Sequence, residues 1–215
     1  MGEVEKDPFR AARLILLLRR AGVTDNALLA AMEQLPRSEF VAEDAADLAF
    51  EDAVLPIACG QTILRPTVTG QILQMASLSE ETRRVLLVGL GSGYTAALIA
   101  QRVESVFAVE RYRRLTELAI KTLSDLQIEN VYTRHGDGLL GWEERGPFDR
   151  IILTGIYDPA PVALLQQLVP EGRLIQPIAE DSKQFISVFD SDGKALNSQK
   201  ITGFQPLSPG IAREL

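Results

Sequence analysis

The chain has 215 residues, 46% of them hydrophobic, a size and apolar content that suit one domain with a full core. Its 29 acidic and 22 basic side chains leave a net charge of -7 and a pI near 4.9, which argues against a polyanion such as nucleic acid as partner, because phosphate binding draws on clustered Lys and Arg. Cys59 is the only cysteine and His135 the only histidine, so a disulfide framework, a Cys/His metal cluster or a repeated redox motif has no material, and a metal-free cytosolic protein is the simplest reading.

Phe9 to Ala21 reads as a helix whose apolar centre is bracketed by Arg10, Arg13, Arg19 and Arg20, with Gly22 as its C-cap. Such a helix could lie on a membrane surface, but packing on the domain is the expectation. The apolar stretch Leu14 to Leu18 is far shorter than the ~20 residues of a bilayer span and lacks a small-residue cleavage site, so neither a membrane segment nor a signal peptide is expected. Thr24 or Asp25 can cap a second helix, Asn26 to Leu35, which Pro36 stops. The two helices form an N-terminal helical cover.

Phe50 to Pro66, FEDAVLPIACGQTILRP, differs in kind. Pro56, Gly60 and Pro66 deny it regular structure along most of its length, and Gln61 and Thr62 offer hydrogen bonds without titrating. A loop of this kind, followed by a helix begun at Pro66, is a candidate substrate lid; an ordinary buried connection fits the composition equally well.

Val85 to Glu110, VLLVGLGSGYTAALIAQRVESVFAVE, reads as strand, glycine turn, helix and second strand. Glycines at 89, 91 and 93 let the backbone turn sharply and let a ligand approach amides at a helix N-terminus. Glu110 stands 17 residues beyond Gly93, at a strand tip where a carboxylate can accept hydrogen bonds from ribose hydroxyls. The pattern implies a nucleoside-containing cofactor; a plain tight connection is the alternative for the glycines alone. The G-x-G-x-G spelling is more compact than the dinucleotide fingerprint and resembles the S-adenosylmethionine methyltransferase turn, leaving a dehydrogenase as the weaker option.

The alternation then continues. Tyr112 to Leu126 is helical, Val131 to His135 a strand, Asp149 to Thr154 an apolar strand after Pro147, Pro161 to Leu168 a helix, and Arg173 to Ile178 a strand. Strands buried on both faces predict an α/β fold with a doubly wound, mostly parallel sheet of Rossmann-like type. Phe185 to Phe189, a turn at Ser191-Asp192-Gly193 and Lys200 to Phe204 predict a C-terminal antiparallel hairpin. No internal repeat or linker divides the chain, so a single domain over 1–215 is expected, with cover and substrate loop over about 1–66 and a cofactor-binding core over about 67–215.

Several of these stretches resemble one family, the protein-L-isoaspartate O-methyltransferases. Phe50 to Pro66 resembles its E-D-x-x-L-P-I-x-x-G-Q-T-I-S-x-P loop, and Val85 to Tyr94 its V-L-E-I-G-T-G-S-G-Y turn. Val109 to Leu115 resembles its V-E-R-x-x-x-L stretch, and Asn130 to Gly138 its N-V-x-x-x-x-G-D-G segment. Pro147 to Gly155 and Glu171 to Ile178 continue the likeness, which runs from about Leu35 through the hairpin.

The resemblance implies the S-adenosylmethionine-dependent methyltransferase fold and methyl transfer to the free carboxylate of L-isoaspartyl residues in damaged proteins, a repair reaction. By the family's pattern Gly89, Gly91, Ser92 and Gly93 cradle the methionine end of the cofactor, Glu110 with Arg111 holds the ribose, Asp137 and Gly138 lie beside the adenine, and Thr154 closes the rim. Gln61 and Thr62 belong to the loop over cofactor and substrate, which Pro56, Ile57, Gly60, Ile63 and Leu64 shape. The implied partners are proteins or peptides bearing isoaspartyl residues, with no nucleic acid and no membrane, and the chain is expected as a monomer or weak dimer. An acceptor carboxylate, with a pKa near ~4, is ionised at neutral pH and needs no general base. The protein's task is alignment, and His135 is expected in a structural or exposed role.

Three departures mark this chain. Leu64 stands where the family loop has serine, Leu87 where an acidic residue precedes the first turn glycine by two, and Thr154-Gly155-Ile156, followed by Tyr157 and Asp158, where the rim reads T-A-A. Thr62 and Arg65 are then the candidates for orienting the acceptor, Arg65 through a charge-assisted hydrogen bond. The alternative is a paralogue that binds the cofactor and methylates another acceptor or none.

Overall fold

The computed structural model describes residues 9–212; the remainder of the expected single domain, 1–8 and 213–215, lies outside the described residues. Helix α1 (Arg10–Arg20) buries Leu14 and Leu18, one turn apart, and leaves its arginines outside, Arg10 lying 4.7 Å over the Phe50 ring. Gly22, at φ +90°, reverses the chain so that the Val23 N–H reaches the Leu18 carbonyl at 3.0 Å. Helix α2 (Asn26–Gln34) is capped by Asp25 and not by Thr24: Asp25 Oδ1 accepts from the amides of Ala27 at 2.9 Å and Leu28 at 3.0 Å. Helix α3 (Pro66–Ala76) starts on the expected proline and packs under both. At Gly70 an added Cβ would stand 3.0 Å from Val23 Cγ2 and 3.2 Å from Leu18 Cδ2, so the cover sits on α3 at backbone distance.

Two 3-10 turns, Arg37–Phe40 and Glu43–Leu48, lead out of the cover. The loop beyond them is more ordered than its prolines and glycine suggest. Strand β1 (Leu55–Pro56) pairs antiparallel with β2 (Thr62–Ile63), Leu55 opposite Ile63 and Pro56 opposite Thr62, around a tip where Cys59 and Gly60 both take positive φ.

The main sheet comprises β3 (Arg84–Val88), β4 (Ser105–Glu110), β5 (Val131–His135), β6 (Phe148–Leu153), β7 (Leu168–Glu180), β8 (Lys183–Phe189) and β9 (Ala195–Ile201), in the order β5-β4-β3-β6-β7-β8-β9. β3 to β7 run parallel; β8 and β9 add an antiparallel edge. Helices α4 (Tyr94–Ala100), α5 (Arg113–Asp125) and the short α6 (Val162–Leu165) connect them. Alternate residues of β3 feed two apolar layers: Val85 and Leu87 pack with Tyr94, Ile99 and Ile152, while Leu86 and Val88 pack with Phe107, Phe148 and Ile151. After β3 the chain builds β4 and β5 to one side and then β6 and β7 to the other, so a crevice opens at the carboxyl ends of β3, β4 and β6.

Two elements depart from the expectation. The helix expected over Pro161 to Leu168 is a single turn, because Leu168 already pairs with Phe148 and opens β7, which then runs on to Glu180 in place of the shorter Arg173 to Ile178. A register shift between Phe148 and Arg150 absorbs the mismatch. The last strand is Ala195–Ile201, not Lys200 to Phe204. Asp190 Oδ1 accepts from the amides of Asp192 at 3.1 Å and Lys194 at 2.9 Å, so the turn closes early and pairing starts at once. Past Ile201 the chain leaves the sheet, and Gln184 Oε1 holds the amides of Gly203 at 2.8 Å and Phe204 at 3.0 Å. Among the described residues no helix is long and apolar enough to cross a membrane, and no group of His, Cys, Asp and Glu could hold a metal ion.

Asp25 also joins cover to core, since its Oδ2 accepts from Arg102 Nη1 at 3.0 Å. Burial pushes its carboxyl up, but the Leu28 amide, the Arg102 guanidinium and the Ala27 amide together hold it below its ordinary 3.8. A lowered carboxylate contributes stability that is present above the unfolded value of 3.8 and is lost as pH falls through the lower folded value. Asp25→Ala is expected to lower stability by about 1–2 kcal/mol at neutral pH, read from urea midpoints, with the gap to wild type closing across that acid window.

Candidate functional site

β3 ends at Val88, and the chain turns through Gly89-Leu90-Gly91-Ser92-Gly93 into α4. The three glycines take φ of +91°, +56° and +94°, a region L side chains resist. At Gly89 an added Cβ would overlap Thr154 Oγ1, so the turn lies against the end of β6 without space between. Thr154 Oγ1 lies 3.0 Å from the Gly89 carbonyl oxygen and 3.1 Å from that of Val88, fixing this approach.

The tip of β4 supplies Glu110, 5% exposed. Its Oε2 accepts the Gly91 N–H at 2.9 Å and its Oε1 the Tyr112 N–H at 3.1 Å, and each oxygen keeps a lone pair for a further donor. Beyond β5, Asp137 Oδ1 accepts from the Leu139 amide at 3.0 Å and Oδ2 from the Gly210 amide at 2.6 Å. Gly138 passes so close to β3 that a Cβ would meet Val88 Cγ1 at 2.6 Å.

Between these strand ends lies a cavity of about 470 Å³, within the range of roughly 300–1,000 Å³ usual for small-molecule sites. Gln61, Thr62, Gly89, Gly91, Ser92, Glu110, Arg111, Asp137, Gly138 and Thr154 all line it, and the β1–β2 hairpin adds Ile57, Gly60, Ile63 and Leu64. Gln61 Nε2 donates to the Cys59 carbonyl at 3.3 Å and to Tyr112 Oη at 3.4 Å, tying the hairpin to the rim. Gly93 supports the turn from below as the α4 N-cap, with a Cβ position 3.3 Å from Ala119 Cβ. Pro56 is exposed on the hairpin, outside the lining.

Arg65 is placed elsewhere. The chain turns into α3 at this residue, so Leu64 faces the cavity while Arg65 Nη2 donates to the Thr202 carbonyl at 2.9 Å and lies 3.2 Å from Thr202 Oγ1, in a separate groove with Asp52, Gln71 and Lys200. His135 Nε2 lies 3.1 Å from the Arg111 carbonyl oxygen, a structural contact. Leu87 is wholly buried in the apolar layer behind the turn.

Sequence reasoning missed Tyr112 and the segment from Gln205 to Ser208, which also line the cavity. The Ile156 amide donates to the Gln205 carbonyl at 2.8 Å and the Leu207 amide to that of Ile156 at 2.7 Å, drawing the tail across the rim. Gly155 permits this, since a Cβ there would lie 2.7 Å from the Gln205 oxygen. No local pattern marks that tail, whereas Tyr112 follows Glu110 at the two-residue offset of a carboxylate that binds its own downstream amide.

A family profile described as protein-L-isoaspartate(D-aspartate) O-methyltransferase matches residues 10–207. The chain belongs to this family. Curated members named protein-L-isoaspartate O-methyltransferase include one from Caulobacter sp. (strain K31), 40% identical over 204 residues, covering 94% of this chain and 93% of the relative. One from Yersinia enterocolitica serotype O:8 is 44% identical over 174 residues, 81% of this chain and 83% of the relative. A solved protein-L-isoaspartate O-methyltransferase superposes with a TM-score of 0.78 at 28% identity, covering 92% of this chain and 66% of that one. Another solved structure, from Plasmodium falciparum and in complex with S-adenosyl-L-homocysteine, shares the fold with a TM-score of 0.75 at 24% identity, over 91% of this chain and 97% of that one.

In this member of the protein-L-isoaspartate O-methyltransferase family the site's floor depends on the missing side chain at Gly89. Gly89→Ala is expected to destabilise by about 2–3 kcal/mol, part from positive φ and part from the Thr154 hydroxyl. Adding Thr154→Ala should recover the second part only, so the double variant melts above Gly89→Ala and below wild type. Strict additivity of the two single-variant losses would remove the contact from the explanation.

Proposed function

We propose that the chain transfers the methyl group of S-adenosylmethionine to the free carboxylate of L-isoaspartyl residues in damaged proteins and peptides. The observation that carries this reading is the meeting, in one cavity, of a buried carboxylate fastened to a glycine turn and the Gln61-Thr62-Ile63 hairpin strand of this family.

The residues present fit that cofactor. Glu110 offers two lone pairs in a buried position, suited to a ribose diol, and the turn from Gly89 to Gly93 presents backbone at a helix N-terminus, suited to the methionine end. Asp137 and Gly138 would stand beside the adenine, with Asp137 already steadied by two amides. When bound, the cofactor supplies an electrophilic methyl on a sulfonium sulfur. Everything else falls to the chain: holding an already ionised carboxylate in line with that methyl and keeping water out.

Ile63 and Leu64 would provide the apolar wall on the acceptor side, and Thr62, exposed on the same strand and lining the cavity, would orient the acceptor through its hydroxyl where Leu64 stands at the serine position. The cover, hairpin and core are read as one domain, supported by the close packing of α1 and α3 and by the hairpin's tie to Tyr112. A cytosolic monomer or weak dimer completes the reading; a single half-buried free thiol at Cys59 suits a reducing compartment, and net charge -7 disfavours nucleic acid.

The direct test offers labelled S-adenosylmethionine with an isoaspartyl peptide and with its normal aspartyl counterpart. Label is expected on the isoaspartyl peptide alone; label on both, or on neither, would overturn the acceptor assignment. Independently, Glu110→Ala is expected to weaken cofactor binding on the order of 10- to 100-fold by calorimetry, as two amides and a diol lose their acceptor. Unchanged affinity would remove Glu110 from the cofactor site.

A further inference from the structure

Arg37 is among the largest fully buried side chains, 1% exposed, on the turn that leads out of the helical cover. Its Nη1 donates to the Ala49 carbonyl at 2.8 Å, and its Nη2 donates to the carbonyls of Leu64 at 3.0 Å and Ala53 at 3.2 Å. A desolvated guanidinium is costly unless acceptors surround it. Here the acceptors serve Nη1 and Nη2, leave Nε unpaired, and are main-chain oxygens on both sides of one feature: Ala49 and Ala53 lie before the β1–β2 hairpin, and Leu64 follows it. The guanidinium carbon also lies 5.8 Å from the centre of the Tyr94 ring, which Phe40 meets edge-on at 5.4 Å. Tyr94 opens α4 directly after the glycine turn, so the same group touches the element that ends the cofactor side of the site.

The hairpin needs outside support. Its strands are two residues each, joined additionally by the Ile57 N–H to the Gln61 carbonyl at 2.9 Å, and pairs this short do not persist alone. A second closure lies at its base, where Asp52 Oδ1 accepts from the Thr67 amide at 3.0 Å and from Thr67 Oγ1 at 2.8 Å. Together Asp52 and Arg37 pin the entry and exit of the segment that carries Gln61, Thr62 and Leu64 over the cavity. Arg37 itself is outside the lining.

We infer that Arg37 is a positioning residue for the methyl acceptor: it sets the hairpin over the cavity by binding the carbonyls at its two ends, without touching acceptor or cofactor. The inference rests on the methyl-transfer reading above and assigns the acceptor half of that site to a group beneath it. The cofactor half hangs from β3, β4 and the glycine turn, where Glu110 and Thr154 hold it, and Arg37 reaches it only through the face of the Tyr94 ring. Loss of Arg37 therefore acts on acceptor capture, whose ordering cost the peptide must then meet from its own binding energy.

Arg37→Met is expected to raise KM for an isoaspartyl peptide about tenfold or more, with kcat and the S-adenosyl-L-homocysteine Kd each within about threefold of wild type. Arg37→Lys, whose single ammonium cannot span three carbonyls, should raise KM by less, and Asp52→Ala, which removes the acceptor of the Thr67 amide and hydroxyl, should raise it in the same direction with Arg37 intact. By hydrogen exchange, amides over 55–63 should exchange faster in Arg37→Met while those of β3 and β4 keep their protection. An unchanged KM, or cofactor affinity falling in step with it, overturns the inference. If wild type methylates no isoaspartyl peptide, the proposed function fails, and the exchange measurement decides alone: unchanged exchange over 55–63 overturns the role of Arg37, and faster exchange confined there upholds it. Should Arg37→Met not fold, Arg37→Lys decides: no rise in KM together with unchanged exchange over 55–63 overturns the inference.

Discussion

The Glu110 carboxylate, buried at the tip of β4 and bound by the Gly91 and Tyr112 amides, is the contact on which the site's geometry depends. A buried anion tolerates this position only because oriented N–H dipoles meet both oxygens, and those two amides belong to different connections, one after β3 and one before α5. Binding them together fixes where the glycine turn stands relative to the next strand. It also leaves unfilled acceptor capacity facing the cavity. The parallel sheet makes such a contact possible, since adjacent parallel strands end at the same edge and deliver the turn, the carboxylate and the Asp137 bend side by side.

The two halves of the site differ in how they are built. The floor is made of strand ends whose backbones approach so closely that side chains are excluded at Gly89 and Gly138. The roof is a hairpin of two-residue strands, steadied by Gln61 on Tyr112, by Asp52 on Thr67 and by Arg37 below. This division explains where the chain has room to vary. Leu64 sits on the roof, half-buried, and a change there alters one wall of the cavity. Leu87 sits in the middle of β3, fully buried among apolar neighbours, where a carboxylate would require partners that this layer does not supply.

How much the sequence discloses depends on the range of the forces involved. Val131 to His135, the turn at Gly89 to Gly93 and the Pro66 start of α3 are written in consecutive residues, and each lies where the pattern predicts. The errors lie where a partner distant in sequence decides. Leu168 extends β7 because Phe148, on another strand, is beside it; the early start of β9 at Ala195 is the local exception, set by Asp190 tightening the adjoining turn. Arg65 follows the serine position by one residue, yet the entry into α3 turns its guanidinium to Thr202, 137 residues away. Gln205 to Ser208 reach the rim through backbone bonds to Ile156 that no side-chain pattern announces. Arg37, in an ordinary polar stretch, is buried only because three carbonyls converge on it.

The placement of the arginines bears on the chemistry. A carboxylate nucleophile loses reactivity when a cation pairs with it tightly, because such a bond stabilises the ground state more than the transition state, in which the oxygen is surrendering its charge. Arg37 and Arg65 stand beside the hairpin, and neither lines the cavity. Instead both donate to main-chain carbonyls: Arg37 to Ala49, Ala53 and Leu64, Arg65 to Thr202. The hairpin thereby gains rigidity from two positive charges without presenting either to the cavity, and the wall it does present is Ile63, Leu64 and the neutral hydroxyl of Thr62. On the proposed reading, the hairpin meets the acceptor with a neutral wall, while the cation that lines the cavity, Arg111, stands beside Glu110 on the cofactor side, so that alignment rather than ion pairing at the hairpin governs the attack.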